Sequence, residues 1–178
     1  GAAYLGRWLY GPFYLWTKER VSGLEDLKGL KLRTGPMYIY FMNKLGVSSV
    51  SIKPTDVYTA LERGTADGFA WPLLGPRELG WTDSCKYLID HGFYMMDGTI
   101  IFNRDTWEGL TEATRIKLEK LTADFERDMV AYFQSEEQAE RERLKEEGME
   151  FIHFSEAEAE AYLDKAYNAY WEHLEEKV

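Results

Sequence analysis

The 178-residue sequence predicts an α/β fold, a parallel or mixed sheet flanked by helices, on three observations. Short apolar strands alternate with short helical segments between residues 30 and 72. A long helical periodicity begins near Glu112, and a separate amphipathic helix closes the chain. Strand, helix, strand, helix, strand at such spacing implies parallel pairing with helices on the sheet faces.

Tyr4 to Trp16 is aromatic and apolar, interrupted at Gly11-Pro12, and reads as one or two strands. Ser22 is placed as the N-cap of a helical turn carrying Glu25 and Asp26, which Gly29 ends. Leu30 to Arg33 alternates as a short strand. Pro36 then opens a helix that runs to Leu45 and stops at Gly46. Val47 to Ile52 is a strand, Thr55 caps a helix through Leu61, and Ala66 to Trp71 is a strand ended by Pro72. Lys86 to Ile89 and Gly92 to Asn103 read as two further strands. From Glu112 to Glu147 apolar residues recur at Ile116, Leu118, Leu121, Phe125, Met129, Tyr132 and Phe133, mostly three or four apart. A helix of about 36 residues would be roughly 54 Å long, so it is expected to bridge two bodies or to bend. Met149 to Phe154 is a strand, and Ser155 caps a final helix with Tyr162, Ala166, Tyr170 and Leu174 on one face.

The net charge of −10 is unevenly spread. Residues 1–60 carry eight basic and four acidic side chains, whereas residues 111–178 carry nine and nineteen. The acidic surplus lies on predicted helices and excludes nucleic acid as a partner, because phosphate binding needs an extended basic face. An anion site fits only the first third. The three histidines, His91, His153 and His173, share no i, i+4 helix face, and the single Cys85 leaves no disulfide or cysteine-based zinc cluster. No metal is assigned. There is no nucleophile elbow, dinucleotide fingerprint or phosphate-binding loop, so no catalytic residue and no cofactor is assigned, and the sequence does not read as an enzyme. No stretch reaches the eighteen apolar residues of a membrane helix, and Gly1-Ala2-Ala3-Tyr4 does not begin a leader peptide.

One feature points to a ligand. Arg33 ends a predicted parallel strand, where open α/β sheets place their crevice, and its planar fork suits a carboxylate. The helix opened by Pro36 would add backbone N–H donors. A structural pairing of Arg33 with Asp56 or Asp67 is an equally weighted alternative.

The stretch Glu25-Asp26-Leu27-Lys28-Gly29-Leu30-Lys31-Leu32-Arg33 resembles the D-L-K-G-L-K-[IL]-R run of the DctP-like substrate-binding subunits of TRAP (tripartite ATP-independent periplasmic) transporters. Pro54-Thr55-Asp56-Val57-Tyr58-Thr59-Ala60-Leu61-Glu62-Arg63-Gly64 and Ala66-Asp67-Gly68 continue the likeness. Tyr87 to Gly92 and Asn103 to Thr111 keep the same order, so about residues 10 to 155 are in register. The resemblance implies a periplasmic binding protein-like fold of two lobes closing on an organic acid, with a long inter-lobe helix and a C-terminal helix returning to the second lobe. It implies a small organic anion and integral-membrane transporter subunits as partners, and a periplasmic location. The family's carboxylate-binding arginine falls on Arg33. Where the family often has an asparagine, this sequence has Trp71, which implies stacking or apolar contact and favours an aromatic, apolar or keto acid over a sialic acid-like sugar. Phe13, Pro36, Tyr38, His91 and Phe93 are assigned to the same cleft, His91 with a structural cap as its alternative; Asp67 is read as structural.

The predicted domains are a ligand-clamping lobe at 1–98, a strand and helix of an incomplete first lobe at 99–138, and a helical return at 139–178. Family members carry a further N-terminal segment, so the chain is expected to be a fragment, its apolar faces completed by the absent lobe or by another copy of the chain. A sensing or protein-interaction module using the acidic C-terminal helices is the alternative function.

Overall fold

The computed structural model describes residues 1–175. It contains six strands and five α-helices among the described residues: β1 (Ala2–Thr17), β2 (Lys31–Arg33), α1 (Ile39–Lys44), β3 (Ser48–Val50), α2 (Val57–Glu62), β4 (Gly68–Pro72), β5 (Tyr87–Asn103), α3 (Arg104–Glu108), α4 (Glu112–Glu146), β6 (Glu150–Ile152) and α5 (Glu156–Glu175). The chain divides into two compact units. One comprises Gly1–Gly11 and Met95–Ala139; the other comprises Pro12–Tyr94 and the chain from Glu140 onward.

The second unit is built on a sheet of order β3-β2-β4-β1-β5-β6. β2 pairs in parallel with β3 and β4, and β5 with β6, whereas β1 runs antiparallel to β4. The β2–β3 and β2–β4 pairings are parallel, as the strand–helix alternation predicted, and the antiparallel β1 makes the sheet mixed. Phe13 to Thr17 are all buried, the mark of a central strand covered on both faces. Trp16 stacks on Phe69 at 5.4 Å, and Trp81 meets both Phe69 and Trp71 edge-on. These rings join Val57, Leu61, Leu73 and Leu88 in the main core. Gly68 is required here, since a Cβ would lie 2.1 Å from the carbonyl oxygen of Trp16.

Two ion pairs fix the C-terminal end of α4 in this unit. Glu140, 1% exposed, accepts from Arg77 at 2.8 and 3.1 Å. Arg141 donates to both oxygens of Asp90 at 2.9 and 2.8 Å and to the Tyr14 hydroxyl at 3.1 Å. In the first unit the rings of Trp8 and Tyr10 face Phe125 and Phe133 of α4. Ile116, Leu121, Phe125 and Tyr132, four of the seven residues of the apolar stripe read from the sequence, are exposed.

Several boundaries differ from expectation. β5 is one strand where two were expected, and β1 is the single strand of the two readings left open; Gly11 (φ +88°) and Tyr94 (φ +39°) absorb the irregularity within each strand. Residues 1–11 group with 95–139 rather than with the lobe that follows them, since β1 serves both units. Ser22 is not a cap: its backbone N–H donates to Asp26, and the turn is a 3-10 turn, Leu24–Leu27, begun at Gly23. The helix expected from Pro36 to Leu45 is a 3-10 turn, Pro36–Tyr38, followed by the six-residue α1. Thr55 likewise sits inside a 3-10 turn before α2 and does not cap it. Ser155 does cap α5, its hydroxyl accepting from the Glu158 N–H at 3.4 Å while bonding that residue's carboxylate at 3.1 Å.

Candidate functional site

Arg33 closes β2, opposite Val50 on one side and Phe69 on the other. β2 and β3 both end at this level, whereas β4 continues past it to Pro72. The chain then passes through Thr34 and Gly35 into the Pro36–Tyr38 turn, which brings Tyr38 back over the arginine. Gly35 permits this return, because a Cβ there would lie 3.2–3.3 Å from the Tyr38 ring and hydroxyl.

Arg33 is only 7% exposed. Its Nε donates to the carbonyl of Ile52 at 3.0 Å, and Nη1 lies 3.5 Å from the Tyr38 hydroxyl. The Trp71 ring lies under the guanidinium, 5.0 Å from its carbon. None of these partners is an anion. Asp67 accepts from the Lys31 backbone N–H at 2.9 Å and is structural, as expected. No carboxylate among the described residues reaches Arg33, so the Asp56 and Asp67 pairings are not what the structure contains. A shielded cation surrounded by neutral acceptors is unfavourable without a counter-charge. The third nitrogen, Nη2, has no acceptor among the described residues.

Tyr38 donates to the Ala70 carbonyl at 3.0 Å and so ties the turn to β4. Burial raises its phenol above the ordinary value, a shift that the nearby Arg33 charge opposes. Around it the rings form a wall: Phe13 at 5.1 Å and Phe93 at 5.8 Å from Tyr38, with Phe13 and Phe93 6.1 Å apart. Arg33, Tyr38, Trp71, Phe13 and Phe93 are thus brought into one cluster, a cation held among aromatic surfaces.

Two of the predicted residues fall elsewhere. Pro36 is exposed and borders a separate cavity of about 300 Å³ with Thr34, Ile39, Tyr40, Ser49 and Ser51. His91 takes the structural alternative: its Nε2 accepts from the Phe154 N–H at 2.8 Å, and its ring packs on Phe154 and Tyr162. Burial and the neighbouring His153 lower its pKa, while Asp90 opposes them. The Ile52 carbonyl was not foreseen, since a backbone acceptor leaves no mark in the sequence. The helix dipole expected at Arg33 is weak, because α1 is a short helix set behind a 3-10 turn.

The fold defines the class. A solved TRAP periplasmic solute-binding protein from Haemophilus influenzae with bound L-gulonate superposes with a TM-score of 0.89, at 21% identity, covering 99% of this chain and 59% of that one. Another, from Bordetella bronchispeptica, whose bound density is interpreted as pantoate, is 29% identical with a TM-score of 0.82 over 97% of this chain and 58% of that one. The chain belongs to the bacterial extracellular solute-binding proteins, family 7 (DctP), whose family pattern matches residues 2–177. The monocarboxylate 2-oxoacid-binding periplasmic protein of Nostoc is 29% identical over 100 residues, which is 53% of this chain and 27% of that protein. The chain therefore spans less than two thirds of the length of these relatives. The family and its structural neighbours are solute-binding proteins of transport systems rather than enzymes. No helix among the described residues is long and apolar enough to cross a membrane.

Proposed function

We propose that this chain forms the ligand-clamping part of a periplasmic receptor that captures a small organic acid by its carboxylate and delivers it to a TRAP-type membrane transporter. The observation that carries the proposal is Arg33, buried among neutral partners with Nη2 still available. A ligand carboxylate would supply the absent counter-charge and accept a charge-assisted bond from this fork. The unit containing Pro12–Tyr94 would act as the clamping lobe.

Trp71, Phe13 and Phe93 make the surroundings of Arg33 apolar, which supports a compact acid with few hydroxyls over a large polyhydroxylated sugar acid. The 2-oxoacid-binding relative and the pantoate-associated structure support this reading, whereas the neighbour with bound L-gulonate holds a polyhydroxylated acid. Native mass spectrometry of the gently purified natural protein, followed by calorimetric titration with 2-oxoacids, pantoate, L-gulonate and the corresponding amides, tests this. Binding of a small monocarboxylate, with its amide at least tenfold weaker, supports the proposal. Equal binding of acid and amide, or no binding by any acid, contradicts it.

A further inference from the structure

Helix α5 is apolar on two sides. One side is buried, with Tyr162 set against Phe41, Phe93 and Phe154. The second runs through Leu163, Tyr167, Trp171 and Leu174, with Tyr170 beside it, at the three-to-four spacing of a helical ridge. This ridge is open: Tyr167 is 71% and Trp171 57% exposed. Tyr170 meets Tyr40 edge-on at 5.8 Å, whereas Tyr167 and Trp171 make no ring contact among the described residues.

At its N-terminal end the ridge runs into a cavity of about 450 Å³ lined by Phe93, Tyr94, Leu163, Asp164, Ala166 and Tyr167. Tyr94, Tyr167 and the carboxylate-bearing Asp164 border this space, with the buried Phe93 at its edge. Neither the Asp164 side chain nor that of Glu160, one turn before it, has an ion pair or hydrogen bond among the described residues. Ring faces around a lone carboxylate attract an organic cation through both quadrupole and charge. From Leu163 to Leu174 the ridge extends roughly 17 Å at 1.5 Å per residue, longer than a single small cation can cover.

We infer that the outer ridge of α5 is a docking surface for a basic, apolar segment of a partner protein, with a lysine or arginine of that segment seated beside Asp164 in the aromatic cavity. Charge complementarity selects this occupant: the surface offers apolar contact along its length and unpaired acids at one end. The site shares the buried Phe93 with the Arg33 cluster but uses neither Arg33 nor Trp71, and the inference stands whether or not Arg33 binds a carboxylate.

The test uses the isotope-labelled natural protein and a synthetic 14-residue helical peptide of leucine and lysine. Controls are a scrambled isomer without an apolar face and a version with glutamate in place of lysine. The expected result is chemical-shift perturbation centred on Leu163, Tyr167, Trp171, Phe93 and Tyr94, absent with both controls. Asp164→Lys and Tyr167→Ser, both exposed positions that leave the fold intact, should each weaken binding at least tenfold. Perturbation centred on the acidic 112–147 helix, equal binding of the scrambled peptide, or no binding overturns the inference. So does unchanged affinity in both variants, or self-association of the protein through this ridge.

Discussion

Replacing Tyr38 with phenylalanine removes one oxygen and keeps the ring, so it separates what the hydroxyl does from what the packing does. The ring contacts with Phe13 and Phe93 remain, and no cavity forms. What is lost is the 3.0 Å bond to the Ala70 carbonyl, which is left buried without that donor. An unsatisfied buried carbonyl costs about 1–3 kcal/mol. The 3.5 Å approach of Arg33 Nη1 is at the limit of a hydrogen bond and adds little to stability. A loss of about 1–2 kcal/mol is therefore expected, read as a lower urea midpoint with an unchanged m value. Without the hydroxyl the guanidinium is held only through Ile52 and Trp71, so affinity for the organic acid should fall about three- to tenfold, or roughly 0.6–1.4 kcal/mol. Urea unfolding followed by circular dichroism and calorimetric titration of the same preparation measure both. A variant as stable as the parent refutes the Ala70 bond as a stabilising contact. Unchanged affinity beside lost stability refutes the positioning of Arg33 by Tyr38.

His91→Phe should lower stability near pH 8 by about 1 kcal/mol through loss of the acceptor for Phe154, and should leave ligand affinity unchanged. In the parent the folded-state pKa of His91 lies below its ordinary value, so the unfolded chain binds the proton first as pH falls. This contribution to stability is present above about pH 6.5 and is lost as pH falls through the folded pKa; urea midpoints between pH 8 and 5 should show the loss in the parent and not in the variant. At the alkaline end the signs reverse. Burial raises the Cys85 thiol to about 12 and the Tyr162 phenol well above its ordinary value, so the unfolded chain loses these protons first. Stability should fall above pH 9 by up to about 1.4 kcal/mol per pH unit for each group, and Cys85→Ala with Tyr162→Phe should flatten that slope. An equal slope in the double variant would show that other groups set the alkaline limit.

The strand–helix alternation from Leu30 to Pro72 was legible because short apolar runs, glycine stops and proline starts fall at the spacing of a parallel sheet. Arg33 stood out for the same reason: a strand end is readable, and so is a guanidinium placed there. Its partners were less so. Ile52 acts through its backbone oxygen, and Tyr38 reaches Arg33 only because the chain folds a 3-10 turn where a regular helix was expected. Arg141 sits in a run of glutamates and arginines that looks like a solvated face, yet it forms a two-point bridge to Asp90, 51 residues away. His91 lies near the aromatic wall in sequence, but its ring is committed to the turn into α5. The Gly11-Pro12 interruption left one or two strands open for β1, and the 90–92 segment made β5 read as two strands. In the structure the backbone turns at Gly11 and Tyr94 without leaving the strand.

The most direct measurement is the affinity of Arg33→Ala, prepared in the natural protein, for the organic acid that the parent binds. Removing one partner of a desolvated, charge-assisted pair costs about 2–5 kcal/mol, so calorimetry should show a loss of at least 30-fold. The far-ultraviolet circular dichroism of the variant should match the parent, and Arg33→Lys should recover only part of the affinity, since an ammonium cannot reproduce the two-point fork. Binding within threefold of the parent, by an Arg33→Ala protein that is folded, would contradict the assignment of Arg33 as the carboxylate clamp.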